Sequence, residues 1–282
     1  MAKIGVQMMM LKEIVLEQGV FKVLKKLHEL GFSCVEVSQI PMTEENVKEM
    51  KTACSEFQME IAALSAAIEP QTPGAESLST DFDKIVADCK FLNCNYLRVG
   101  MMPLSYMGSL EKSLLFANKC EEMAKRLSEH GIHLYYHNHH IEFVKYNGKY
   151  LLDLIRDNTT KLGFEIDVYW VQYGGENPVE YIKQYKGKLE LLHLKDYRLV
   201  EPDFTGVDMS KHPEFLKAFT NVVRYAEIGS GNLDFPSIIQ AGLDTGVKYL
   251  LIEQDDCYGK DPFHCLEVSR ANLVNMGYEG LF

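Results

Sequence analysis

The chain has 282 residues, 29 Lys and Arg against 40 Asp and Glu, and a net charge of −11. That acidity disfavours a nucleic-acid partner, and no Lys/Arg run forms a basic groove to offset it. The seven cysteines are scattered, with no C-x-x-C pair, which points to free thiols in a reducing compartment rather than a disulfide frame. The first apolar run, broken by Lys12 and Glu13, is too short for a signal peptide, and no run of transmembrane length follows. A soluble cytoplasmic protein with no membrane partner is expected.

Residues 4–8 read as a short buried strand. Residues 20–30 follow as an amphipathic helix, with Val20, Val23, Leu24, Leu27 and Leu30 on one face, stopped by Gly31. Residues 34–37 are strand two, and Thr43 caps a helix that carries Glu44 and Glu45 in its first turn. Strand three spans 61–65, a Pro/Gly loop 69–79, a helix 81–92, strand four 96–99 and a loop 100–108. A long helix, 110–130, closes at Gly131; 133–137 is strand five, 150–157 a short helix and 163–167 strand six. Pro178 starts a helix after the Gly174-Gly175 turn, and strand seven covers 189–195. An irregular excursion at 200–219, a tight Gly229-Ser230-Gly231 loop, a helix at 235–243, strand eight at 248–253 and a helix at 264–276 complete the chain. Eight strand–helix units without a linker predict an α/β fold, a single (β/α)8 TIM-barrel domain over 1–282. An open doubly wound sheet would carry a Gly-rich turn after strand one, where Gln7-Met8-Met9-Met10-Leu11 stands instead.

Side chains alternate faces along a strand, which sorts the polar groups. His133, Tyr135, His137 and His139 share a face in strand five, and Glu165 and Asp167 turn inward in strand six. Leu189, Leu191, His193 and Lys195 share a face in strand seven, as do Tyr249, Leu251, Glu253 and Asp255 in strand eight. In a barrel these ends meet at one mouth, which brings His137, Asp167, His193 and Glu253 within reach of one ion. Two imidazoles and two carboxylates suit Mn²⁺, Co²⁺, Fe²⁺ or Zn²⁺ better than Ca²⁺. Glu142 is a rival ligand, because the loop after His137 can fold it back over the mouth. Glu165, Lys195 and Asp196 are candidates to orient ligands or bind substrate hydroxyls. Trp170 and Tyr169 offer a wall on which sugar C–H faces pack. Glu36 and Arg98 end strands two and four, either as substrate contacts or as an internal ion pair.

The stretches Tyr136-His137-Asn138-His139, Glu165-Ile166-Asp167-Val168-Tyr169-Trp170, Leu192-His193-Leu194-Lys195-Asp196, Gly229-Ser230-Gly231-Asn232-Leu233-Asp234-Phe235 and Leu251-Ile252-Glu253 resemble the sugar phosphate isomerase/epimerase family of xylose-isomerase-like TIM barrels. The resemblance implies one divalent ion (Mn²⁺, Co²⁺, Zn²⁺ or Mg²⁺) held by strands five to eight, a small carbohydrate substrate, and a base that removes the proton next to a carbonyl. Typical epimerases of the family carry a Glu where His137 stands and pair it with the strand-eight Glu as acid and base. They often have a His at the Trp170 position. The imidazole at 137 looks closer to keto-inositol dehydratases and keto-glycoside lyases, in which setting His139 or Glu142 becomes the proton carrier beside Glu253.

The expected activity is therefore enolisation of a keto-sugar or keto-polyol, with isomerisation or epimerisation as the family default and dehydration or lyase chemistry as the alternative. No phosphate cradle beyond Gly229-Ser230-Gly231 is visible, so the substrate need not be phosphorylated. An abasic-site endonuclease would need a basic face and more ligands. A non-catalytic sugar-binding barrel is the third reading. The sequence leaves oligomeric state open.

Overall fold

The computed structural model describes residues 2–282. Eight parallel strands close on themselves: β1 (Lys3–Gln7), β2 (Cys34–Val37), β3 (Glu60–Ser65), β4 (Tyr96–Val99), β5 (His133–His137), β6 (Gly163–Asp167), β7 (Leu189–Leu194) and β8 (Tyr249–Ile252). Each pairs with its chain neighbours, and β8 pairs with β1 from Lys3↔Tyr249 to Val6↔Ile252. The expected barrel is thus observed. No helix among the described residues is long and apolar enough to cross a membrane.

Two hydrophobic layers follow from the alternation of side chains. Outward residues such as Val6, Val35, Leu97, Tyr136, Ile166, Leu192 and Leu250 pack with helix residues such as Leu24, Leu27, Phe116 and Ile239 in one large core. Inward residues form small plugs, Cys34, Ala62 and Leu251 in one and Ala63, Tyr135 and Leu191 in the other. The interior is tight at its centre: a Cβ on Gly5 would lie 2.6 Å from the Cys34 carbonyl oxygen, so β1 needs glycine there.

Bulges break the alternation at two places. Phe164 lies opposite Leu189 and Glu165 opposite Leu191, so Glu190 is an extra residue in β7. Leu189 consequently joins the outer core while Leu191 points inward, and the single face expected for Leu189, Leu191, His193 and Lys195 starts only at Leu191. The second bulge leaves Ala62 as an extra residue opposite the Val35/Glu36 step of β2.

The structure departs from the sequence reading mainly in the connections. β1 stops at Gln7 and Met8–Leu11 is a 3₁₀ turn. Inside the excursion, His212–Thr220 is helical, and the segment is bounded by an antiparallel ribbon of Asp196–Leu199 with Val223–Ala226. A two-residue hairpin, Lys145–Tyr146 with Lys149–Tyr150, follows the β5 loop. A one-and-a-half-turn helix, Val168–Tyr173, begins directly after β6 and carries Trp170.

Candidate metal centre

The C-terminal ends of β5, β6, β7 and β8 bring His137, Asp167, His193 and Glu253 together, with one ligand atom of each within 4.8 Å of the others. All four are buried, Glu253 being the most exposed at 5%. Local chemistry fixes each side chain. His137 Nδ1 sits 3.2 Å from the Gly100 carbonyl oxygen, which calls for N–H on that nitrogen and leaves Nε2 as a lone pair. That Nε2 is buried without a hydrogen-bond partner, 3.6 Å from Asp167 Oδ2 and 3.8 Å from Glu253 Oε2.

Asp167 is divided between two tasks. Its Oδ1 caps the helix after β6, accepting from Tyr169 N–H at 2.8 Å and Trp170 N–H at 3.1 Å. Its Oδ2 is left buried with no hydrogen bond. Asn138 fixes the residue from behind, its Oδ1 accepting the Asp167 N–H at 2.9 Å. His193 Nδ1 lies 2.6 Å from Glu253 Oε2, while Nε2 faces Glu165 Oε1 at 3.1 Å. Glu253 Oε1 accepts from Gln7 Nε2 at 3.0 Å. Asn138 and Gln7 have no assigned role in the sequence reading. The signal for Gln7 is its place two residues beyond Gly5 on the inward face of β1.

Electrostatics mark this region as a dense cluster of buried charges. Glu36, Glu165, Asp167 and Glu253 are buried together with Arg98, Lys195 and His193. Burial pushes Asp167 up to about 6, although Lys195 pulls the other way. Burial and the neighbouring Glu36 push Glu165 up to about 8. Burial alone would pull His193 down, yet Glu165, Glu36 and Glu253 outweigh it and hold the ring well above its ordinary value. Burial, then repulsion from His193, drives His137 well below the usual range, so its imidazole is a neutral donor. Orphaned lone pairs on His137 Nε2 and Asp167 Oδ2, within the four-residue cluster, fit a divalent cation bound by nitrogen and oxygen.

A cavity of about 560 Å³ opens above these groups, lined by His137, His139, Glu253 and Arg98 and, farther out, by Gln39 and Gln71. His139 Nδ1 is buried without a partner, and its ring stands 4.8 Å from that of His137 and 5.6 Å from Trp170. Burial, then the nearby His137, holds His139 down at about 3, so it is neutral at physiological pH. Lys195 Nζ lies 3.7 Å from Asp167 and 3.8 Å from Glu253, is bound to Asp255 at 2.7 Å, and sits 5.0 Å above the Trp170 ring. Trp170 Nε1 is buried and has no acceptor.

Other expected site residues lie elsewhere. Glu142 does not fold back over the mouth. Its carboxylate accepts from the Tyr136 hydroxyl and from the His139 N–H at 2.7 Å, and it is fully buried behind the His139 turn. The short 3₁₀ turn at His140–Phe143 is the physical reason, since it directs Glu142 back toward its own strand. Glu36 and Glu165 are fully buried one layer beneath the ligand atoms and off the cavity surface, paired with Arg98 Nε at 2.6 and 3.3 Å. Of these three residues only Arg98 borders the cavity. Asp196 is committed to the glycine loop, its Oδ2 accepting from Gly229 N–H at 3.0 Å and Gly231 N–H at 2.9 Å. The anion cradled by Gly229-Ser230-Gly231 is therefore the protein's own carboxylate, which takes up those two donors.

Comparison with known proteins agrees with this architecture. The sequence profile described as xylose isomerase-like TIM barrel matches residues 24–261. The inosose dehydratase of Clostridium botulinum (strain Alaska E43 / Type E3) is 27% identical over 144 residues, 50% of this chain and 46% of the relative. That match thus spans about half the length of the relative. A sugar phosphate isomerase/epimerase from Parabacteroides distasonis ATCC 8503 superposes with a TM-score of 0.72 at 22% identity, covering 97% of this chain and 94% of the other. The IolI protein with a bound zinc atom superposes with a TM-score of 0.68 at 16% identity, over 99% of both chains. The barrel closed by β1 and β8 and the profile match over most of its length make this chain a member of the xylose isomerase-like TIM barrel family.

Proposed function

We propose that this protein is a divalent-metal-dependent enzyme that enolises a keto-polyol or keto-sugar and then eliminates a β-hydroxyl or alkoxyl group. One observation carries the reading: His139, whose Nδ1 is buried without a partner, lines the same cavity as His137 and Glu253 of the four-residue ligand cluster. His137 Nε2, Asp167 Oδ2, His193 Nδ1 and Glu253 Oε2 would hold the ion. When bound, the ion supplies Lewis-acid stabilisation of the negative charge that develops on the carbonyl oxygen.

The protein side chains do the rest. His139, neutral and positioned by Glu142 through its backbone N–H, takes the proton next to the carbonyl and returns it to the departing oxygen. The Lys195 ammonium, which burial alone would pull down but which Glu253, Asp167 and Asp255 keep charged, donates to a substrate hydroxyl. Trp170, expected as a substrate wall, instead lies under the Lys195 ammonium and lines a neighbouring recess with His140, Tyr169 and Tyr173.

Elimination needs one base on one face of the substrate. Epimerisation by the family's two-carboxylate scheme needs a second, and here the first carboxylate position is the His137 imidazole. Glu253 has one oxygen engaged by Gln7 and offers the other to the ion. The partial likeness to an inosose dehydratase supports the same choice. Isomerisation or epimerisation is the second reading, favoured by the full-length likeness in fold to the isomerase/epimerase.

The test is incubation of the metal-loaded protein with keto-inositols, 3-keto-glycosides and ketoses in D₂O, followed by NMR. Deuterium uptake next to the carbonyl with formation of an unsaturated or diketone product is expected. Exchange that yields only an isomer favours the second reading, and no exchange across the panel sinks enolisation altogether. His139→Gln should lower turnover by roughly 10²–10⁴-fold while bound metal stays unchanged.

A further inference from the structure

A second set of groups able to hold a cation lies directly beneath the first. Glu36, Glu165 and His193 bring ligand atoms within 4.8 Å of one another, and all three side chains are buried. Two carboxylates and an imidazole make a familiar divalent-ion site, and a carboxylate pair in a dry interior demands positive charge. A side chain already supplies it. Arg98 Nε is 2.6 Å from Glu36 Oε1 and 3.3 Å from Glu165 Oε2, and its Nη2 donates to Ser38 Oγ at 2.9 Å. Arg98 is 3% exposed.

We infer that Arg98 is a built-in cation that fills a second metal position and so limits this centre to one ion. The inference rests on the metal reading of the mouth. A carboxylate oxygen binds such an ion at about 2.0–2.2 Å, so an ion held between Glu36 Oε1 and Glu165 Oε2, the two oxygens that Arg98 Nε contacts, would have to enter the space the guanidinium takes. Arginine does not lose its proton in proteins, so the position stays filled whatever the metal supply or pH.

The arrangement also decides how His193 is used. Its Nε2 points down toward Glu165 at 3.1 Å and Glu36 at 3.3 Å, and its Nδ1 points up toward Glu253 at 2.6 Å. With Arg98 below, Glu36 remains an acceptor for the Nε2–H, its Oε2 lying 3.3 Å away, which leaves Nδ1 as the nitrogen for the upper ion. A lower ion would take Nε2 as a ligand and turn the ring into a bridge between two metals. Arg98 is thus a positioning residue, since it acts through Glu36, Glu165 and His193. A merely structural ion pair would affect stability without changing how many ions bind.

Metal stoichiometry tests this without reference to activity. Each variant is dialysed to equilibrium against excess Zn²⁺ and then metal-free buffer, and zinc per chain is measured by mass spectrometry, with circular dichroism to verify the fold. The expected values are one equivalent for the wild type and for Arg98→Lys, two for Arg98→Met, and one again for Glu36→Gln combined with Arg98→Met. One equivalent in folded Arg98→Met, or two in the wild type, overturns the inference and leaves the one-ion function intact. Zero in the wild type instead overturns the metal reading and this inference together. Should Arg98→Met unfold without metal, refolding in zinc decides: recovery with two equivalents upholds the second position, and failure to fold in zinc removes it.

Discussion

At the N-terminal end of the barrel, Lys3 lies 3.1 Å from Glu60 and Lys248 lies 3.0 Å from Glu190, in pairs whose side chains are about a third to a half exposed. Tyr135 and Tyr96 complete the second pair, with the Tyr135 hydroxyl donating to Glu190 at 2.7 Å and Lys248 donating to the Tyr96 hydroxyl at 2.8 Å. At the C-terminal end, Glu36, Glu165, Asp167 and Glu253 are buried, and lone pairs on His137, Glu165 and Asp167 have no hydrogen-bond partner. The same strands supply both ends. What differs is that the foot balances each charge locally and in contact with water, whereas the mouth buries its carboxylates and imidazoles and leaves several lone pairs unmatched. Buried polar groups left unmatched are costly, so their concentration at one end identifies where chemistry rather than stability is served.

The sharpest way to break this contrast is to remove an unmatched group at the mouth. Asp167→Asn keeps the Oδ1 cap acceptor and takes away the anionic Oδ2. It should abolish tight metal binding and lower turnover by roughly 10³-fold or more, read by metal content and by the exchange assay. Chelation of the wild type should lower its melting temperature, because a ligand present at about 1,000 times its Kd contributes ~4 kcal/mol to the folded state. An unchanged melting curve with and without chelator would mean that the mouth holds no ion.

A smaller effect is expected one step back from the ion. Gln7 donates to Glu253 Oε1 and touches none of the other candidate ligands through a hydrogen bond. Gln7→Ala frees Glu253 to rotate and should weaken metal affinity by about 10–100-fold without unfolding the barrel. Affinity within twofold of the wild type would show that His193 alone orients Glu253.

How much of this could be read from the chain depends on the distance over which each cause acts. Strand alternation is a property of consecutive residues, and it leads to His137, Asp167, His193 and Glu253 without knowledge of any neighbour. The unmatched state of His137 is different, because it is set by the Gly100 carbonyl on the preceding loop. Glu142 and Asp196 carry the right chemistry at the right spacing, but a 3₁₀ turn and a glycine loop claim them first. The bulge at Glu190 arises from pairing between β6 and β7, so it moves Leu189 to the outer core without a mark in the local pattern. The closed barrel was legible because each βα unit repeats one local rule. Gln7 was not, because its role exists only once β1 and β8 meet.

Near the foot, Glu121 tests the other side of the comparison. It projects from the helix Leu110–Ser128 and accepts from the N–H groups of Thr160, Lys161 and Leu162 just before β6, with bonds of 2.9 to 3.1 Å. Burial would raise its pKa, but the Thr160 hydroxyl and those backbone donors outweigh it and hold the carboxyl at about 2. A folded value below the unfolded one means that its stabilisation is complete above about pH 4.5 and fades as pH falls toward 2. Glu121→Gln should cost on the order of 1.5 kcal/mol at pH 7, lower the melting temperature by roughly 3–6 °C, and flatten the acid side of the stability profile. Metal content and turnover should not change. A parallel loss of activity would mean that the entry to β6 is coupled to Asp167 at its far end.

The smallest effect belongs to the exposed pair. Lys248→Met removes the cation beside Glu190 and Tyr96, both of which keep access to water. Surface ion pairs contribute roughly 0–1 kcal/mol because solvent screens them and the freed partner is hydrated. A shift in stability below ~0.5 kcal/mol is expected, with metal affinity and exchange rate unaltered. The same kind of change at the mouth, Lys195→Met, leaves Asp255, Asp167 and Glu253 without the ammonium that lies 2.7, 3.7 and 3.8 Å from them. If the two substitutions had equal consequences, burial would not be what separates the ends of this barrel. A neutral result at Lys248 beside a large one at Lys195 ties the difference to the buried, carboxylate-lined mouth, since residue type and barrel are held constant.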